Sequence, residues 1–172
     1  WSQWQPLLEA LTGKINIGAH TNIKLSAKGV LEDNALVILC EDKMTAILAA
    51  KEPTISVIRE QAAQKPLLGI CLGMQLLFEK SYEYGEHGGL GFVKGEVCPL
   101  EPDLKDKTLK VPQIGWNALH IVRDDPLFRY IREGEYVYYV HSYYGKNCTG
   151  STLAVSDYSI PVTGVVRAGR VY

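Results

Sequence analysis

Two short, unbroken apolar runs constrain this chain most: ALVILC at residues 35–40 and KPLLGIC at residues 65–71, separated by EPTISVIREQAAQ. Each is too short for a buried helix and too continuously apolar for a strand with one wet face, so both are expected to be strands buried on two faces. The segment between them has helix formers, a proline near its start and apolar Ile55, Ile58 and Ala62 on one face, which predicts an amphipathic helix. LGMQLLFEK (residues 72–80) predicts a second helix directly after the second run. Buried strands alternating with such helices imply βαβ units and an α/β fold with a parallel sheet.

Upstream, Trp1, Trp4, Leu8 and Leu11 recur at helical spacing before Gly13, and KINIGAHTNIKLSA alternates as a half-buried strand would. Downstream the texture changes. GEHGGLGFVKGEVCPLEPD is rich in glycine and turn residues, and NALHIV, EYVYYVHSYY, TLAVSDY and VTGVVRAGRVY read as strands, with a tight hairpin turn at Ala168-Gly169. The C-terminal half is therefore expected to be β-rich. At 172 residues and 47% hydrophobic content, with no internal repeat or linker, one domain over residues 1–172 can bury its own core.

A formal net charge of −1 and 18 scattered basic residues offer no stripe for phosphates, so no nucleic-acid partner is expected. No apolar run reaches the length of a membrane span, and the opening residues lack a basic n-region and cleavage site, so no membrane association and a soluble, cytoplasmic protein are expected. The four cysteines, at 40, 71, 98 and 148, show no CxxC spacing, and reduced thiols are the default for such a chain.

Within GICLGMQ (residues 69–75), Cys71 lies between Gly69 and Gly73, after a buried strand and before a helix. A nucleophile elbow needs that order: strand, sharp turn, helix. Glycines let the turn tighten, a helix N-terminus favours negative charge on the sulfur, and the Leu72 N–H would point where a tetrahedral oxyanion forms. Free cysteine is also among the most buried and inert residue types. The pentapeptide alone leaves both readings open.

KPLLGICLGMQLLFEKS, GGLGFVKGEV, KVPQIGWNALH and YVYYVHSYY occur in this order, and together they resemble the glutaminase subunit of imidazole glycerol phosphate synthase, a class I, triad-type glutamine amidotransferase of histidine biosynthesis. The resemblance runs over residues 23 to 172. It implies a flavodoxin-like fold and a cysteine that attacks the glutamine amide. The released ammonia would pass to a TIM-barrel cyclase partner, with no metal or cofactor required. By the same match Cys71 is the nucleophile, Leu72 an oxyanion donor, and Gly73 and Gln75 line the glutamine pocket. His141, Ser142 and Tyr143 hold the α-amino and carboxylate end of glutamine, and Trp116, Asn117 and Tyr138 meet the cyclase. YVYYVHSYY also reads as a core strand whose aromatics simply pack.

Two departures accompany the resemblance. The family's strand equivalent to ALVIL runs into a Pro-Gly-Val-Gly turn that completes the oxyanion hole, whereas Cys40, Glu41, Asp42 and Lys43 follow here. The family's general base and its orienting acid lie in a His-Pro-Glu motif after the strand that GRVY begins, and no residue up to Tyr172 matches either role. The expectation is a longer polypeptide whose His/Glu segment lies beyond Tyr172 and whose flanking pieces are joined across absent loops. A non-catalytic homologue that scaffolds a partner, and another cysteine hydrolase of flavodoxin-like fold, are the two alternatives.

Overall fold

The computed structural model describes residues 27–32, 35–40 and 54–172. The helix and strand expected over residues 1–26 lie outside the described residues, as do Cys40's successors at 41–43.

The first apolar run forms β2 (Ala35–Cys40), the intervening segment α1 (Thr54–Gln64) and the second run β3 (Leu67–Gly69). β2 and β3 pair in parallel, Leu36 with Leu67 through Ile38 with Gly69, as expected of a βαβ unit. β1 (Ala27–Glu32) adds to the other edge of β2 in antiparallel register. Beyond β3 the chain's last residues complete the pattern. The Leu67 amide donates to the Arg170 carbonyl (3.0 Å), the Tyr172 amide to Leu67 (2.8 Å) and the Gly69 amide to Tyr172 (2.8 Å), giving a parallel bridge between Leu67 and Val171. The α1 face is as the spacing predicts: Ile55, Ile58 and Ala62 are buried, joined by Val57.

The second predicted helix is much shorter than expected. α2 spans only Leu72–Leu76, and Phe78–Ser81 is a strand, β4. The cause is tertiary. Leu77 and Phe78 are both fully buried, and their carbonyls are taken up by partners outside the helix. Their carbonyls and that of Leu76 accept amides from the following loop: Leu90 on Leu76 (2.8 Å), Val93 on Leu77 (2.9 Å) and Gly91 on Phe78 (3.0 Å). Gly145 supplies the flat surface for the Phe78 ring, since a Cβ there would stand 2.4 Å from its Cζ.

The glycine-rich segment contains two strands that composition hid, β5 (His87–Gly88) and β6 (Val93–Pro99). With β10 (Tyr143–Lys146) they form a sheet of order β10-β6-β4-β5 in which only β4 and β6 are parallel. β11 (Thr152–Asp157) and β12 (Pro161–Val166) make an antiparallel hairpin extended by β8 (His120–Ile121). The tight turn predicted at Ala168-Gly169 is present: Ala168 and Val171 exchange amide bonds of 2.8 and 3.0 Å around Gly169 at φ +63°. The architecture is thus α/β with a β-rich C-terminal half. Among the described residues its sheets are mixed rather than mostly parallel, because hairpins rather than crossover helices join the strands after β6.

The remaining pair, β7 (Gln113–Ala118) and β9 (Tyr136–His141), is a two-stranded antiparallel ribbon running from Gln113 opposite His141 to Ala118 opposite Tyr136. Its two faces differ in kind. Ile114, Trp116, Tyr136, Tyr138 and Val140 are all more than half exposed on one. Gln113, Asn117, Tyr139 and His141 occupy the other by strand alternation.

Candidate active site: a cysteine elbow tied to the ribbon

Cys71 adopts φ 56°, ψ −117°, a left-handed conformation that costs a non-glycine residue on the order of 1–3 kcal/mol. The flanking residues enforce it. Gly73 donates to the Ile70 carbonyl (2.9 Å), closing the turn, and a Cβ on Gly69 would stand 2.6 Å from the backbone C and O of Gly73. Gly69 therefore has to be glycine for strand and helix to approach. Gly73 is buried beneath the turn while Cys71 is exposed at its tip. Leu72 is the first residue of α2, where backbone amides have no intrahelical acceptor. The sequence reading of an elbow is what the backbone shows.

Two other thiols are placed differently. Cys148 is buried with its Sγ 3.6 Å from the hydroxyls of both Thr152 and Thr163. Cys98 is half-buried, and burial followed by the Glu96 charge pushes its thiol pKa up.

Gln75 lies one helical turn beyond Cys71, its amide donating to the Cys71 carbonyl (3.2 Å) and its side-chain Nε2 to the Tyr143 carbonyl (3.3 Å). That bond ties the elbow to the corner between β9 and β10, where His141, Ser142 and Tyr143 sit together. The residues that the resemblance assigns to the glutamine pocket are therefore brought together across 68 positions of sequence. His141 is held by both ring nitrogens: Nδ1 donates to the Tyr143 carbonyl (2.7 Å) and Nε2 lies 2.9 Å from Gln113 Oε1. Burial pushes its pKa below the ordinary imidazole value, and the Tyr143 carbonyl opposes that shift. The Ser142 carbonyl accepts the Leu100 amide (2.9 Å).

Of the residues expected at the cyclase, Trp116 and Tyr138 are cross-strand partners on the exposed face, their rings edge-to-face at 5.3 Å. Asn117 points the other way. Its Oδ1 accepts from Gln113 Nε2 (2.9 Å) and its Nδ2 donates to the Asp157 carbonyl (3.3 Å). Gln113 itself, 1% exposed, was not singled out from the sequence. A polar residue in the inward phase of PQIGWN was the available signal. Among the other described histidines, His120 is paired with Glu133 (2.8 Å) and His87 is in β5.

A family model for class-I glutamine amidotransferases matches residues 46–166, which agrees with the class that a strained cysteine elbow in an α/β fold defines. Three relatives narrow it, each an imidazole glycerol phosphate synthase subunit HisH. That of Wolinella succinogenes is 36% identical over 96% of this chain and 82% of its own length. Those of Bacillus licheniformis and Sulfurimonas denitrificans are 50% and 53% identical over 63% and 52% of this chain. Against these two the chain spans about half of the relative's length, 51% and 44%. The chain belongs to the class-I glutamine amidotransferases and, within them, to the HisH subunits of imidazole glycerol phosphate synthase.

Proposed function

We propose that this chain is the ammonia-producing subunit of imidazole glycerol phosphate synthase, acting in histidine biosynthesis on a flavodoxin-like scaffold in the cytoplasm. The Cys71 sulfur attacks the side-chain amide carbon of glutamine. The resulting oxyanion is received by the Leu72 amide, ammonia departs, and water cleaves the thioester to glutamate and the free thiol. The observation that carries this is the elbow: strain at Cys71 persists only where the surroundings over-determine it, and Gly69 and Gly73 do so here. Gly73, Gln75 and the 141–143 corner then hold the amino-acid end of the substrate.

The reaction also needs a base for the thiol and an acid for the departing ammonia. β3 and Val171–Tyr172 run parallel, with the Gly69 amide on the Tyr172 carbonyl two residues before Cys71, so a base carried on that side of β3 would stand beside the nucleophile. No helix among the described residues is long and apolar enough to cross a membrane.

Ammonia has to reach a cyclase, and the exposed face of the β7–β9 ribbon is the proposed dock. Trp116 is 66% and Tyr138 54% exposed, and paired aromatics of this kind anchor interfaces. The test of the function is ammonia release from glutamine by the full-length subunit with its cyclase. Wild type should turn over, and Cys71→Ser should lose on the order of 10⁴-fold or more in kcat. Full activity in Cys71→Ser would contradict the proposal.

A further inference from the structure

The inner face of the ribbon carries a chain of side chains that the reaction as described does not use. From the Tyr143 carbonyl it runs through His141, Gln113 and Asn117 to the Asp157 carbonyl, with contacts of 2.7, 2.9, 2.9 and 3.3 Å. Both ends are backbone acceptors. Between them stand two amides, each donating on one side and accepting on the other, and an imidazole whose two nitrogens both face oxygens. Gln113 is the buried hinge of this chain and, among the described residues, the hydrogen-bond partner of His141 Nε2.

With both ring nitrogens engaged by the protein, His141 has none left for a substrate. It acts through what it holds. Its Nδ1 fixes the Tyr143 carbonyl, the same oxygen that receives Gln75 from the elbow helix. The ring also lies against Tyr139 with centroids 5.2 Å apart, and the Tyr139 hydroxyl donates to Ser156 (2.9 Å), which donates to the Ala118 carbonyl (2.7 Å). The ring plane is therefore set from one side by packing and from its edge by Gln113.

We infer that Gln113 is a positioning residue of the glutaminase: it fixes the His141 ring, and through it the Tyr143 carbonyl and the 141–143 corner, at the distance from the elbow that glutamine binding requires. This rests on the glutaminase reading and deepens it. Gln113 suits the task because its amide is held at both ends: Oε1 faces the ring Nε2 while Nε2 donates to Asn117 Oδ1. An oxygen at the ring Nε2 serves the imidazolium, whereas a neutral His141 donating from Nδ1 needs an N–H there. Offering that N–H would turn Gln113 and Asn117 together and give up the Asp157 bond. The ionisable groups facing His141 are the Tyr139 phenol on its own strand, raised by burial, and Tyr143 beyond the corner.

Two substitutions at Gln113 test the inference in the full-length subunit bound to its cyclase. Gln113→Met keeps the volume and removes the hydrogen bonds. Gln113→Glu keeps an oxygen for the ring but cannot donate to it. For Gln113→Met the KM for glutamine should rise about tenfold or more while kcat changes by less than about threefold. Gln113→Glu should restore KM on the acid side, where His141 is an imidazolium, and lose that restoration as pH rises past the ring's titration. A role confined to holding the strands together would lower thermal stability in both variants with no pH-dependent rescue, and that result overturns the inference. So does a wild-type KM in Gln113→Met. Ring nitrogen NMR of His141, read without substrate, separates this from the glutaminase reading. If wild type releases no ammonia the glutaminase reading fails, while the ring signal still decides the positioning role. A His141 nitrogen whose shift and exchange are unchanged in Gln113→Met contradicts it, and loss of the protected ring N–H supports it.

Discussion

The elbow and the ribbon are held in place by opposite means. At the elbow the backbone does the work: Gly69 and Gly73 press together, Cys71 is forced to φ 56°, and its side chain stands exposed with no partner required of it. At the ribbon the backbone is an ordinary antiparallel pair, and everything that distinguishes it lies in side chains, aromatic outside and hydrogen-bonded inside. A nucleophile benefits from the first arrangement, since strain over-determined by packing fixes one atom without covering it. A surface proposed to serve both a substrate pocket and a partner benefits from the second, because the alternation of a strand gives two faces different chemistry at no cost in fold.

This contrast breaks first at Gly69. Gly69→Ala places a methyl against the Gly73 backbone, where no flexible side chain can yield. We expect a loss of about 2–3 kcal/mol in urea-induced unfolding, together with loss of glutamine turnover. Trp116→Ala is expected to act the other way round. Being 66% exposed, it should leave the free subunit's melting temperature within a degree or two, and weaken cyclase binding by about 2 kcal/mol in a titration. A strongly destabilised free subunit that binds normally once folded would mark Trp116 as core.

The smallest effect belongs outside both regions, at Asp103, which accepts from Lys146 (2.8 Å) and the Tyr144 hydroxyl (2.9 Å). The Lys146 bond leads in holding its carboxyl below the usual carboxylate range, against a smaller opposing push from burial. Because the folded pKa is the lower one, the stabilisation is present above the unfolded carboxylate value and is lost as pH falls through the folded value. Asp103→Asn should therefore flatten the acid limb of a stability-against-pH curve below about pH 4, by about 1 kcal/mol or less for a pair this exposed. An unchanged acid limb would show the pair contributes nothing.

What the sequence made legible follows the same divide. ALVILC, the α1 face and GICLG each carry a local signal, a continuous apolar run, helical spacing or a glycine pair, and each element appears where it was read. The end of α2 was not legible, because Leu77 and Phe78 leave the helix for contacts with residues 89–93 and 145 that no local pattern announces. β6 was hidden by its own bend. Gly95, at φ +118°, would carry a Cβ 2.3 Å from the Lys146 carbonyl, so the residue that made the segment look like a turn is the one that lets the strand pass its neighbour. Trp116 and Tyr138 were legible as a family match, whereas the inward turn of Asn117 onto Gln113 depends on side-chain polarity across the ribbon, which strand spacing places but does not pair.

Cys71 is proposed as the nucleophile because of where the elbow puts it. Brief treatment of the full-length subunit with a glutamine-like electrophile, followed by mass-spectrometric mapping, tests this directly. The expected result is an adduct on Cys71 that free glutamine slows, with Cys98 and Cys148 unmodified over the same interval. Labelling of Cys98 or Cys148 ahead of Cys71 would contradict it.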